Sequence, residues 1–326
     1  MKNVIILLIY FYLSLVAYAA DDFVRSISNS INERFTTISF ENSRIKIYKT
    51  IDNTSDSVSY QIQLLEGLNP SDRKLIDSIA CEVSQWNEVY CDNFSKTNNI
   101  KELEKDLIYL HNLAIIDGIF IDLPDSTIIP HVLFKLQGLN CLSLNVGHNI
   151  EFPRKIYIDC IPKCFRIRNG ETPAIIKNIG NIIKDGNFGI LSIDAYIQNF
   201  DEVVNELSSA NTIDQLFIGL NSFIQFKANI LPNDFFNINA KIVYLFRVDF
   251  RNITRNAPVS KSIASCSIDH ATNVEEFPDY FVFAKYFAIP KIFRFETIPP
   301  KNIFKEREKQ IRRKLCKFLY RIDLNE

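Results

Sequence analysis

The residue types best suited to chemistry in this chain are seven cysteines and four histidines. The cysteines are Cys81, Cys91, Cys141, Cys160, Cys164, Cys266 and Cys316. An odd count means that, in an oxidising compartment, at least one stays free or pairs between chains. Cys81–Cys91 and Cys160–Cys164 are the nearest neighbours in sequence, and spacing alone leaves the connectivity open. His111, His131, His148 and His270 form no His-Glu-x-x-His, and no Cys-x-x-Cys is present to hold zinc. Cys160 and Cys164 with His148 would be an irregular ligand set, and a disulfide or two packed thiols is the commoner outcome of such spacing. Asp269 and His270 are adjacent, so on a strand their side chains point apart. Neither a Gly-rich phosphate loop nor a Gly-x-Ser-x-Gly elbow occurs. The expectation is no metal, no cofactor and no catalytic residue, with scattered carboxylates that converge in space as the remaining route to an enzyme.

The extreme N-terminus carries a different signal. Lys2 precedes an apolar run from Val4 to Ala20 broken only by Ser14, and Ala17-Tyr18-Ala19 has the small-x-small form that signal peptidase accepts. Residues 1–20 are therefore read as a cleavable signal peptide, the rival being a short uncleaved anchor. Export makes the cysteines candidates for disulfides. It also makes the sequons at Asn53, Asn93 and Asn252 candidates for glycosylation. The expected destination is secretion or the cell surface.

With 47% hydrophobic and 23% charged residues the chain can bury a sizeable core. The formal charge of −1 is unevenly spread: nine Lys or Arg against two Glu lie between Lys301 and Arg321, leaving the rest net acidic. That balance argues against a nucleic-acid binder. Within the basic stretch, Ile311, Leu315, Phe318, Leu319 and Ile322 share one helical face. Lys309, Arg312, Arg313, Lys314, Lys317 and Arg321 supply the charge. Such a helix either caps the end of a core or lies on an anionic surface, a membrane or a polyanion.

What positions any site is a set of recurring short strands. Residues 21–85 read as an N-terminal cap region, with strand patterns over 38–49 and 60–64 and a helix opening at Asn69-Pro70. From residue 86 an apolar-x-x-apolar-x-apolar triplet returns. It falls at Trp86/Val89/Cys91, Leu110/Leu113/Ile115, Leu139/Leu142/Leu144, Pro162/Phe165/Ile167, Phe188/Leu191/Ile193, Ile213/Leu216/Ile218 and Val243/Phe246/Val248. The middle members are 24, 29, 23, 26, 25 and 30 residues apart. Gly118, Gly147, Gly170 and Asn221 follow four of them by five residues, at turn-like positions, and helix-like returns such as Ile175–Ile183 and Val203–Leu207 separate the strands.

A period in the twenties with this strand form resembles leucine-rich repeat proteins, in a degenerate version rich in Ile and Phe. The resemblance covers residues 86–255 and implies an α/β solenoid, a curved parallel sheet with helical returns, closed by caps at 21–85 and 256–326. The alternative is a compact α/β or α+β domain. In the solenoid the positions between buried strand residues face the concave side. These include Tyr90, Asp92, Asn112, Ser143, Asn145, Arg166, Arg168, Asp194, Phe217, Arg247 and Asp249. The resemblance implies non-catalytic recognition of a macromolecule, expected to be a protein and not a nucleic acid, through that face. Two rivals stand beside it. One is a secreted hydrolase-type enzyme of unrelated α/β fold. The other is a peripheral protein that uses the basic helix.

Overall fold

A computed structural model describes residues 35–41, 44–92, 99–154, 161–169, 173–184, 186–219, 228–269 and 271–273, with positions 276 and 278. The expected signal peptide, the basic helix, the sequon at Asn93, Cys160, Cys316, Gly170, Asn221, His270 and the aromatic residues between 279 and 295 lie outside them.

The chain is α/β, built on one open, mostly parallel sheet of 11 strands. These are β1 (Phe35–Glu41), β2 (Ile45–Asp52), β3 (Ser57–Leu64), β4 (Gln85–Cys91), β5 (Ile115–Asp122), β7 (Cys141–Val146), β9 (Cys164–Asn169), β11 (Asn187–Asp194), β12 (Thr212–Gly219), β14 (Ala240–Phe246) and β16 (Ser265–Asp269). Only β1–β2 and β2–β3 are antiparallel; every later pairing is parallel. Two further pairings run through the returns. One joins β6 (Thr127–Ile128), β8 (Asn149–Glu151) and β10 (Ile175–Lys177); the other joins β13 (Asn229–Ile230) and β15 (Val248–Asp249). The sheet crosses residues 85/86 and 255/256 without interruption, because β3 pairs with β4 and β14 with β16.

Register explains why these residues are apolar. Ile62, Val89, Ile119, Leu142, Phe165, Leu191, Leu216, Val243 and Cys266 are successive strand partners, and all nine are buried. Two residues further on, Leu64, Cys91, Ile121, Leu144, Ile167, Ile193, Ile218, Leu245 and Ile268 form a second buried row. Burying each large aliphatic side chain contributes roughly 1.5–3 kcal/mol, so the two rows are the main source of cohesion between strands.

Two expected strand triplets are displaced. Leu110 and Leu113 close α2 (Ile100–Leu113), and the strand that follows presents Ile116/Ile119/Ile121. The last triplet is Ala240/Val243/Leu245, three residues earlier than Val243/Phe246/Val248. Gly118 consequently sits inside β5 and not in a turn.

The helices present apolar stripes to the buried rows. In α1 (Pro70–Ala80) the Asn69 side chain accepts from the Asp72 backbone N–H, and Asp72 accepts from the Asn69 N–H, both at 2.9 Å. This reciprocal cap satisfies two of the donors that a helix start leaves unpaired. On α2, Leu103, Leu107 and Leu110 are buried together with Asp106. Asp106 accepts from the Leu68 backbone N–H at 2.9 Å and from Arg73 at 3.0 Å, so its burial is answered. The return over 175–183 is strand β10 followed by the single turn α3 (Gly180–Ile183), and Val203, Val204 and Leu207 lie on α4 (Phe200–Leu207).

Candidate recognition surface

A strand's side chains alternate between faces, so the residue after each first-row core position points away from the core. The register aligns these residues into one row. It reads Gln63 (β3), Tyr90 (β4), Phe120 (β5), Ser143 (β7), Arg166 (β9), Ser192 (β11), Phe217 (β12), Tyr244 (β14) and Ser267 (β16). Its middle seven members, Tyr90 to Tyr244, read Tyr, Phe, Ser, Arg, Ser, Phe, Tyr, between Gln63 and Ser267 at the ends. With neighbouring strands about 4.8 Å apart, the two Phe lie roughly 10 Å on either side of Arg166, measured along the sheet.

The aromatic ends are ordered by contact. Tyr90 and Phe120 stack at 4.8 Å with rings 14° from parallel, and Phe217 and Tyr244 stack at 4.3 Å and 5°. All four rings are partly exposed. Tyr90 donates to Glu88 at 2.6 Å, and burial together with this carboxylate pushes its phenol pKa up.

Charge on the face is divided. Two residues along each strand lie Asp92, Asp122, Asn145, Arg168 and Asp194. Asp122 accepts from Asn145 at 2.9 Å, and Asp92 accepts from Gln63. Burial raises the Asp122 pKa, the Asn145 bond lowers it, and repulsion from Asp92 adds to the rise. With Glu88 these carboxylates make the β4–β5 end acidic. Arg166 and Arg168, on the same face of β9, make the centre basic. Among the described residues neither guanidinium is in an ion pair.

Beside Arg166 lie two half-buried thiols. Cys141 and Cys164 are direct strand partners in the row that precedes the Tyr–Tyr row. The two sulfurs are neighbours on the same face of adjacent strands, and their ionisations are linked. This link, with Arg166 and Arg168 nearby, outweighs burial and holds the Cys164 pKa below the ordinary thiol value. The same link, with burial, raises that of Cys141. All five described cysteines are free; Cys91 and Cys266 belong to the buried rows, and Cys81 is exposed beyond α1.

The residues expected on the face divide into two groups. Tyr90, Asp92, Ser143, Asn145, Arg166, Arg168, Asp194 and Phe217 lie on it or at its edge, Ser143 being nearly covered. Asn112 does not: it is exposed on α2, because the strand begins two residues after the helix ends. Arg247 and Asp249 lie beyond the end of β14. Arg247 adopts a left-handed φ of 53° and its guanidinium sits 5.3 Å from the Phe246 ring centre. Asp249 is buried, accepting from the Arg251 backbone and side chain and from Asn273 at 2.8 Å. Burial alone would raise its pKa, but the Arg251 and Asn273 bonds and the Arg251 charge outweigh it and hold the carboxyl below its usual value. Phe120, Tyr244 and the Cys141–Cys164 pair escaped sequence reasoning. Asn53 and Asn252 occupy exposed turns.

A separate polar cleft opens among the returns, lined by Asp125, Ser126, His148, Asn149, Pro173, Ile175 and Gln198. Asp125 accepts from the His148 backbone N–H at 2.8 Å, and the His148 ring Nδ1 lies 3.0 Å from the Pro173 carbonyl. The imidazole is thus held by a backbone carbonyl, and neither Asp125 nor Ser126 bonds to it. Among the described residues no cluster of three or more His, Cys, Asp or Glu is placed to hold a metal ion. No helix among them is long and apolar enough to cross a membrane. Comparison of the chain with protein-family models, curated proteins and solved structures gave no match.

Proposed function

We propose that the chain is an exported, degenerate leucine-rich repeat solenoid that binds an extended protein segment, without catalysis, across the open face of its sheet. Support for the repeat comes from the first buried row, whose members are 27, 30, 23, 23, 26, 25, 27 and 23 residues apart. Support for binding rests on one observation, the Tyr-Phe-Ser-Arg-Ser-Phe-Tyr row. Aromatic side chains and Arg are the types that dominate binding energy at protein interfaces, and here they occupy one line.

The distribution of charge defines the partner. Arg166 and Arg168 call for a carboxylate, and Asp122, two strands or roughly 10 Å away, calls for a cation, with Asp92 one strand beyond it. An extended chain advances about 3.3 Å per residue, so the matching segment carries an acidic and a basic residue three positions apart. Apolar residues flank them, one over each aromatic stack.

A library of displayed peptides selected on the purified chain tests this reading. The expected result is enrichment of acid-x-x-base sequences with apolar flanks, lost when selection is repeated on Arg166→Glu/Arg168→Glu. Absence of enrichment, or the same sequences from the charge-reversed variant, would overturn it.

A further inference from the structure

The thiols of Cys141 and Cys164 play no part in the recognition chemistry above, and their placement is unlike that of the other described cysteines. Cys91 and Cys266 are sealed in the core. Cys141 and Cys164 are partners across adjacent parallel strands on the open face, both partly exposed. Neighbouring strands place paired Cα atoms about 4.8 Å apart, inside the 4.4–6.8 Å range that a disulfide spans without backbone movement. As direct partners they project from the same face of the two strands. Cys164 also shares its face of β9 with Arg166 and Arg168, two and four residues on, so a thiolate there faces positive charge.

We propose that Cys141 and Cys164 form a thiol–disulfide exchange centre on the sheet face, in which Cys164 attacks an accessible disulfide and Cys141 closes a bridge between β7 and β9. In the first step the Cys164 thiolate bonds to one sulfur of the oxidant. The oxidant's S–S bond breaks, and its other half leaves as a thiolate and takes a proton from solvent. Cys141 then gives its proton to solvent and attacks the Cys164 sulfur, expelling the second half as a thiolate. Two protein thiols are oxidised by two electrons, and one disulfide is reduced to two thiols. The roles are not interchangeable. Arg166 favours the anion at both sulfurs, but Arg168 adds to it at Cys164 alone, whereas the Asp117 charge disfavours it at Cys141.

The test uses the full chain, reduced and then equilibrated with mixtures of glutathione and glutathione disulfide. Quenching, alkylation and peptide mapping by mass spectrometry follow. A Cys141–Cys164 linked peptide, lighter by two hydrogens, is expected to accumulate. Cys141→Ser should stop with glutathione bound at Cys164. On the unsubstituted protein, the rate of Cys164 alkylation should level off at a lower pH than that of Cys81. Cys81, exposed and remote from the arginines, serves as the internal comparison. Three results would each overturn the proposal. They are a link from either thiol to another cysteine, no link at any glutathione ratio, and a Cys164 midpoint at the ordinary thiol value of about 8.5.

Discussion

Tyr244 lies flat on Phe217, their ring centres 4.3 Å apart and their planes 5° from parallel, and the two come from adjacent strands 27 residues apart in sequence. Tyr90 and Phe120 make the corresponding stack two strands to the other side of Arg166. Each stack is a rigid, partly exposed apolar platform, because a ring held by its neighbour has little rotamer freedom left to lose on binding. Phe217→Ala should therefore separate two effects. Stability should fall by about 1 kcal/mol, the usual scale of an aromatic pair. Affinity for a selected peptide should fall by about 2 kcal/mol or more, the scale of an interface hot spot. Urea denaturation reads the first and calorimetric titration the second; equal losses would mean that the platform is structural only.

Asn229 is a buried staple between neighbouring returns. Its side-chain NH2 donates to the Ala195 carbonyl at 2.8 Å, and its oxygen accepts from the Ile197 N–H at 2.9 Å. Asn229→Leu keeps the volume and leaves both backbone groups buried without a partner. A loss of about 2–4 kcal/mol is expected. Denaturant midpoints measure it, and a change below about 0.5 kcal/mol, the scale of surface substitutions, would show that water reaches the vacated groups.

Asp249 gives a pH dependence with a definite sign. Its folded-state pKa is depressed, so its contribution to stability is complete above the unfolded carboxylate value of about 3.9. That contribution is lost as pH falls through the lower folded value. The native protein should lose more stability than Asp249→Asn between about pH 5 and pH 2. Parallel curves for the two proteins over that interval would contradict the assignment.

Gly147 turns the chain between β7 and β8 where Asp125 of the preceding turn leaves no room. A Cβ there would sit 1.9 Å from the Asp125 Oδ1 and 2.9 Å from its Cα. Gly147→Ala should cost about 1–3 kcal/mol, as overpacking does elsewhere. Adding Asp125→Ala should restore only part of that loss, since the backbone contact remains. Thermal unfolding of the single and double variants checks both statements.

Much of the sheet was legible because burial forces a spacing. Val89, Leu142, Phe165, Leu191 and Leu216 were readable as inner strand residues, and each is fully buried. The failures have physical causes. Between Leu103 and Ile121 the apolar stripe of α2 runs into β5 with no Gly or Pro between them except Gly118, which lies inside the strand. Two triplets of identical form therefore lie end to end, and the sequence does not choose. At β14 the inner position is held by Ala240, too small to stand out, so Val243 was assigned the wrong place in its triplet. Ile62 extends the row at one end without the full triplet, because Ser59 stands at its first position; Ile263/Cys266/Ile268 extends it at the other in full form, but lies only 20 residues beyond the misplaced Phe246. The Tyr–Tyr row was beyond reach. It emerges only when six strand registers are known together, and an error of three residues in one strand replaces Tyr244 with Arg247.

From β2 onward, each strand of the large sheet hydrogen-bonds to the strands just before and after it along the chain. The sheet therefore works as a ruler graduated in strands. Its origin is fixed by the antiparallel β1–β2–β3 edge. Deleting β11 with its return would move Phe217 next to Arg166 and shorten that arm of the row by about 5 Å. The local fold of β9 and β12 would be left alone. Under the proposed reading, the length of the bound segment follows the number of units between an arginine and an aromatic pair, a quantity that changes in whole steps.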